Sequence, residues 1–271
     1  MEQIKRIVSA LVILPPLVLF LWYAPPVLFL ILVLALIGLS LHEYFHLLQQ
    51  VRLSLYTNVT FLAALALASA AYLGGWRWLS IALFLNLAAL TLSVMVLPTR
   101  ESHIFPTLVY SIFGVLFIAW NLSHLIVLRL LPAGQWYILF LCVVIWVGDS
   151  IAMYVGKSLG RHKMAPTISP GKTWEGAVGG VLGSVLTAVV SAEFWLPHMV
   201  FWHCIILGLC ISLAAQLSDL GESMLKRYAG VKDSSGLIPG HGGILDRVDS
   251  VLFAAPTLVY ALHILRLVPS P

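Results

Sequence analysis

The chain has 271 residues, of which 61% are hydrophobic and 10% charged, against about a quarter charged in an ordinary soluble domain. A mean hydropathy of +1.00 excludes a water-soluble globule, because there is too little polar surface to cover one. The net charge of +4 would suit nucleic acid, but no recognition module accompanies it, and basic loops of a membrane protein give the same balance.

Apolar runs between polar or Pro/Gly breaks predict spans near residues 7–23, 26–41, 59–73, 78–97, 107–131, 135–155, 174–192, 198–220 and 248–268. A span needs about 17 to 25 residues, and the first three are short. The expected fold is all-α, a polytopic membrane protein with about nine transmembrane helices. The first run lacks a small-residue cleavage site and meets Pro15 and Pro16, so a retained N-terminus is expected. At the end of the second run, in the cluster His42, Glu43 and His46, the two histidines lie four apart on one helical face; that spacing can bind metal, but no third ligand is evident, and a helix end with ordinary polar contacts is the expectation. A cytoplasmic N-terminus and nine spans put twelve lysines and arginines inside and three (Arg77, Arg129, Arg266) outside, which satisfies the positive-inside rule. Several tryptophans near span ends (Trp22, Trp76, Trp78, Trp136, Trp195, Trp202) read as interfacial anchors. Cys142, Cys204 and Cys210 lie in apolar runs without ligand spacing and read as small buried hydrophobes.

Two polar segments interrupt the second half, 157–173 and 221–247. The chain divides on this basis into scaffold helices (1–131) and a catalytic transmembrane region (132–271) carrying both loops on the cytoplasmic side. Eight of the eleven acidic residues lie between positions 149 and 249. Asp149 and Asp219 each end an apolar run, where an unpaired carboxylate costs about 3 kcal/mol. Carboxylates so placed commonly serve ions or substrates.

Residues 236–249, Gly-Leu-Ile-Pro-Gly-His-Gly-Gly-Ile-Leu-Asp-Arg-Val-Asp, combine glycines that allow backbone N–H groups close to a phosphate with His241 and Arg247. Asp246 and Asp249 offer hard oxygen ligands for magnesium. Lys226, Arg227 and Lys232 add positive charge upstream. In the other segment, Gly171-Lys172-Thr173 matches the end of a phosphate-binding P-loop, but Pro166 stands where its first glycine should be. What remains is a helix start rich in Ser, Thr and Lys, a suitable anion site, with Lys172 as phosphate partner. Glu175 is expected either to cap its own helix or to take a catalytic part, and Glu193, on the opposite side, to be structural.

The stretch Ser223-Met-Leu-Lys226-Arg227, Lys232-Asp233 and Pro239-Gly-His241-Gly242-Gly243-Ile-Leu-Asp246-Arg247-Val-Asp249 resembles the signature of the phosphatidate cytidylyltransferases, or CDP-diacylglycerol synthases. Gly148-Asp149, Tyr154, Gly156, residues 160–166, Ile168-Ser169-Pro170, Lys172-Thr-Trp-Glu-Gly176 and Ser218-Asp219-Leu-Gly-Glu222-Ser223 are also similar to that family. Two positions depart from it: Gly171, where a second lysine is usual, and Ile151, where glycine or alanine is. The resemblance implies CTP and phosphatidic acid as substrates, CDP-diacylglycerol and pyrophosphate as products, and magnesium, with room for a second cation. It implies Asp219 and Asp246 as principal metal ligands, with Asp249 and Glu222 as second candidates. Catalytic roles fall to Asp219, Asp246, Lys226 and Arg247. Ser223, Arg227, Lys232, His241, Gly242 and Gly243 would line the triphosphate, and Ser169, Lys172 and Thr173 would hold lipid phosphate or CTP.

A bacterial inner membrane with a cytoplasmic site fits these substrates, and a homodimer is compatible with them. Two alternatives share some of these features: a secondary transporter of an anionic solute, which often shows paired repeats that are not visible here, and a cytidylyltransferase for another lipid phosphate, such as an isoprenoid ether lipid.

Overall fold

The computed structural model describes residues 16, 18–50, 56–96, 104–196, 199–237 and 242–268. Six of their helices are long and apolar enough to cross a membrane: α1 (Pro26–Gln50), α2 (Thr57–Val96), α3 (Ile104–Leu130), α4 (Gly134–Ser158), α5 (Trp174–Trp195) and α6 (Phe201–Tyr228). A seventh, α7 (Leu245–Ile264), has 20 residues, about 30 Å of helix and the thickness of the hydrocarbon layer. The chain is a polytopic helical membrane protein. Its first expected span, 7–23, falls mostly outside the described residues, with helix seen at 16 and 18–23.

Helix α2 would be about 60 Å long if straight, twice the hydrocarbon thickness. It is not straight. Gly74 (φ −149°, ψ 24°) and Gly75 (φ 63°, ψ −150°) leave helical geometry, and Gly75 occupies a region open essentially to glycine alone. Asn86 Nδ2 donates to the Ala63 carbonyl at 2.9 Å, although these residues would sit about 35 Å apart on a straight helix. The chain therefore doubles back at Gly74–Gly75 into two antiparallel arms, which coincide with the spans expected at 59–73 and 78–97.

Helices α4, α5, α6 and α7 pack in chain order. Small residues bring α4 and α5 together: a Cβ on Gly176 would lie 2.7 Å from the Ala152 carbonyl oxygen, and Ser184 Oγ donates across to the Val144 carbonyl at 3.2 Å. Such close approach replaces the hydrophobic drive that lipid cannot provide between helices. Within α3, Val115–Trp120 is a π-helical turn. The carbonyls it displaces at Leu116 and Phe117 accept from Asn121 Nδ2, and Phe117 packs edge-on against Phe253 of α7.

One element departs from the all-α expectation. Between α4 and α5, β1 (Lys163–Ala165) and β2 (Ser169–Thr173) form an antiparallel pair with Lys163 opposite Thr173 and Ala165 opposite Ser169. Strands this short, containing Pro170 and Gly171, have no alternating pattern to betray them.

Candidate active site

Three helices contribute carboxylates to one end of the bundle. Asp149 comes from α4, Asp219 and Glu222 from α6, and Asp246 and Asp249 from α7. The three-residue spacing of each pair on α6 and α7 puts its members on one helical face. One oxygen each of Asp219, Glu222 and Asp249 lies within 4.8 Å of the others. Hydrogen bonds fix the helices in this arrangement. Ser218 Oγ donates to the Asp249 carbonyl, joining α6 to α7, and Ser250 Oγ donates to Asp149 Oδ2 at 3.1 Å, joining α7 to α4.

Two lysines are set among these acids. Lys172 Nζ lies 2.7 Å from Asp219 Oδ2, and Lys226 Nζ lies 2.5 Å from both Glu222 Oε2 and Asp246 Oδ1. Glu222 is fully buried. Lys226 is the partner of its Oε2, whereas its Oε1 has no hydrogen-bond donor. Buried acceptors of this kind are costly, and three carboxylates this close repel one another. A divalent cation that takes hard oxygen ligands would relieve both penalties, so the donor set of Asp219, Glu222 and Asp249 fits magnesium.

Asp246, expected as a principal ligand, lies beside this trio and is heavily engaged. Besides Lys226, it accepts from the backbone N–H of Ser234 at 2.9 Å, Ser234 Oγ at 2.8 Å and the N–H of Gly243 at 2.8 Å. It ties the loop between α6 and α7 to the first turn of α7. A side chain at Gly243 would displace these groups, since a Cβ would lie 2.1 Å from Ser234 Oγ and 2.3 Å from Glu43 Oε2.

The remaining candidates divide by what they touch. Thr173 is buried and caps α5, its Oγ1 accepting from Gly176 N at 3.1 Å. Ser169 lies on β2, half-buried. Ser223 Oγ donates to Asp219 Oδ1 at 3.4 Å. Arg227 donates to the carbonyls of Ile168 and Val231, fastening the β-hairpin to the segment after α6. Lys232 and Arg247 are exposed, and Gly242 adopts a φ of 78°. His241 lies outside the described residues. Glu175 turns to the loop before β1: its carboxylate accepts from His162 N and lies 2.6 Å from His162 Nδ1.

Sequence reasoning noted Glu43 only at a helix end with ordinary polar contacts and gave it no part in the site. This α1 residue is buried and accepts from Ser235 Oγ at 2.7 Å, Ile244 N at 2.8 Å and Leu245 N at 2.8 Å, with Ser234 Oγ a further 2.9 Å away. The available signal was a carboxylate in an otherwise apolar run, whose burial demands partners from elsewhere.

A family model described as "Cytidylyltransferase family" matches residues 4–265. A protein of Bacillus subtilis (strain 168) named phosphatidate cytidylyltransferase is 40% identical over 188 residues, 68% of each chain. One of the same name from Rickettsia bellii is 39% identical over 160 residues, 57% of this chain and 69% of that protein. A Staphylococcus epidermidis relative, again of that name, is 46% identical over 125 residues, and there the match spans only about half of the relative, 48%.

Proposed function

The chain belongs to the cytidylyltransferase family, and from that premise we propose that it transfers CMP from CTP to phosphatidic acid, giving CDP-diacylglycerol and pyrophosphate. The relatives' shared name supports this reading. The observation that carries it is the trio of Asp219, Glu222 and Asp249, with the buried Glu222 Oε1 lacking a donor and two lysines beside it, at one end of an apolar bundle.

The chemistry suits those groups. A phosphate oxygen of the lipid attacks the α-phosphorus of CTP, and the bond from that phosphorus to the β-phosphate bridging oxygen breaks. Pyrophosphate leaves with the bonding pair. No protein nucleophile is needed, so catalysis consists of holding two polyanions in line and stabilising charge on the leaving group. Asp219, Glu222 and Asp249 would hold magnesium, which when bound supplies positive charge to the phosphates. Lys172, on the strand leading into α5, can exchange Asp219 for a substrate phosphate. Lys226, between Glu222 and Asp246, keeps those two acids from repelling each other. The exposed Lys232 and Arg247 would meet the triphosphate, a role also expected of His241, which lies outside the described residues.

The proposed setting is a bacterial inner membrane with the site on the cytoplasmic side, where CTP is available and the lipid headgroup lies. The positive-inside count supports that orientation. Transport is disfavoured because the acids collect at one end of the bundle, whereas transporters bind near the midplane. Lipid choice is tested by pyrophosphate release from purified protein given CTP, magnesium and either phosphatidic acid or an isoprenoid ether-lipid phosphate. Release is expected with phosphatidic acid and only in the presence of CTP. Release with the ether lipid alone would reassign the acceptor.

A further inference from the structure

Both described ends of the segment between α6 and α7, Ser234–Ser235 and Ile244–Leu245, are held by a residue from the far end of the sequence. Glu43 of α1 lies 191 residues from Ser234 and 202 from Leu245. Its Oε1 accepts from Ser235 Oγ and Ile244 N, and its Oε2 from Leu245 N. Ile244 and Leu245 open α7, so these N–H groups are among the donors that a helix start leaves without internal partners. A carboxylate there also meets the positive end of the helix dipole. Glu43 thus caps α7 from another helix.

Ser234 extends this link to the acids. Its Oγ lies 2.9 Å from Glu43 Oε2 and 2.8 Å from Asp246 Oδ2, and its single proton can serve only one of them at a time. Asp246 then reaches Lys226, and Lys226 reaches Glu222. A continuous polar path therefore runs from α1 through the loop to a member of the carboxylate trio. The site of Glu43 is also sterically closed, because Gly243 leaves no room for a Cβ against its carboxylate.

We propose that Glu43 is a positioning residue for CMP transfer: it holds Ser234, Ser235 and the start of α7, and so the placement of Asp246, Arg247 and Asp249. This rests on the function proposed above. Glutamine at this position can accept through one oxygen only, and its NH2 group would face N–H and O–H donors that need an acceptor. The loop would shift to escape that mismatch. Displacement by about 1 Å costs roughly 10²-fold in rate when groups must be held in line.

The test compares wild type, Glu43→Gln, Glu43→Asp and, as a control remote from the site, Glu193→Gln, all full-length and purified in detergent. Turnover with CTP, phosphatidic acid and magnesium is measured alongside amide hydrogen exchange of residues 231–250. For Glu43→Gln the expected results are a fall in kcat of about 10²-fold and faster exchange at Ile244 and Leu245, with elution and helicity unchanged. Glu43→Asp, which keeps the charge, should recover part of the turnover, a rescue that loss of packing alone would not show. Wild-type turnover in Glu43→Gln, or unchanged exchange at Ile244 and Leu245, would overturn the proposal. Should wild type itself transfer no CMP, the functional reading fails, and the exchange data alone decide whether Glu43 holds the loop.

Discussion

Asp219→Asn is expected to lower CMP transfer by about 10³-fold, the equivalent of roughly 4 kcal/mol of transition-state stabilisation, in a protein that still elutes as the parent does. Asparagine is nearly isosteric and keeps one oxygen, so the fold around α6 should survive. It loses the charge that, with Glu222 and Asp249, makes a trio within 4.8 Å fit for a divalent cation. It also releases Lys172, now 2.7 Å from Asp219. The magnesium concentration needed for half-maximal rate should rise together with the fall in turnover. A variant with wild-type turnover and an unchanged magnesium requirement would remove Asp219 from the metal site.

The largest effect on stability is expected from Lys226→Met. Lys226 has a side-chain exposure of 12% and Glu222 of 0%, so the substitution strands a buried carboxylate next to Asp246, also nearly buried. Breaking a buried ion pair from one side costs about 3–5 kcal/mol, mostly because the surviving charge has lost its partner. Thermal unfolding in detergent should shift down accordingly. The double variant Lys226→Met/Glu222→Gln should regain much of the loss, since it removes the stranded charge as well. Equal stability of Lys226→Met and wild type would show that Lys226 does not compensate Glu222.

Much of this site was legible before any coordinates. Asp149, Asp219, Glu222, Asp246 and Asp249 stand out because acids are rare in a chain this apolar, and helical spacing alone pairs Asp219 with Glu222 and Asp246 with Asp249. The membrane spans follow from hydropathy, and the break near Gly74–Gly75 follows from two adjacent glycines. What could not be read depends on tertiary approach. Nothing in the local sequence around Glu43 indicates that its partners are Ser234, Ser235, Ile244 and Leu245, almost two hundred residues away. Thr173 is expected as a substrate contact because a helix start attracts anions; that its hydroxyl also accepts from Gly176 N and caps α5 is a detail of local geometry. Asp246 is expected as a ligand by its place in the signature; that it also accepts from Ser234, Gly243 and Lys226 depends on tertiary contacts that the sequence does not display. The β-hairpin at 163–173 escaped because its strands are too short for periodicity to register.

Placing Asp246 beside the carboxylate trio also links the two halves of the chain. A boundary at residue 131 separates scaffold from catalytic helices by composition, but Glu43 belongs to the first part and its hydrogen bonds to the second. Substitutions in α1 are therefore expected to act on the chemistry through the loop and not only on the packing of the bundle.

The central claim is tested most directly by incubating the purified protein with phosphatidic acid, magnesium and CTP labelled at either the α- or the γ-phosphate, then extracting the lipid. The account predicts that α-label enters the chloroform-soluble product, that γ-label remains in the aqueous phase as pyrophosphate, and that omitting magnesium or the lipid abolishes the transfer. Label from the γ-phosphate in the lipid, or no lipid-soluble label from well-folded protein, would contradict it.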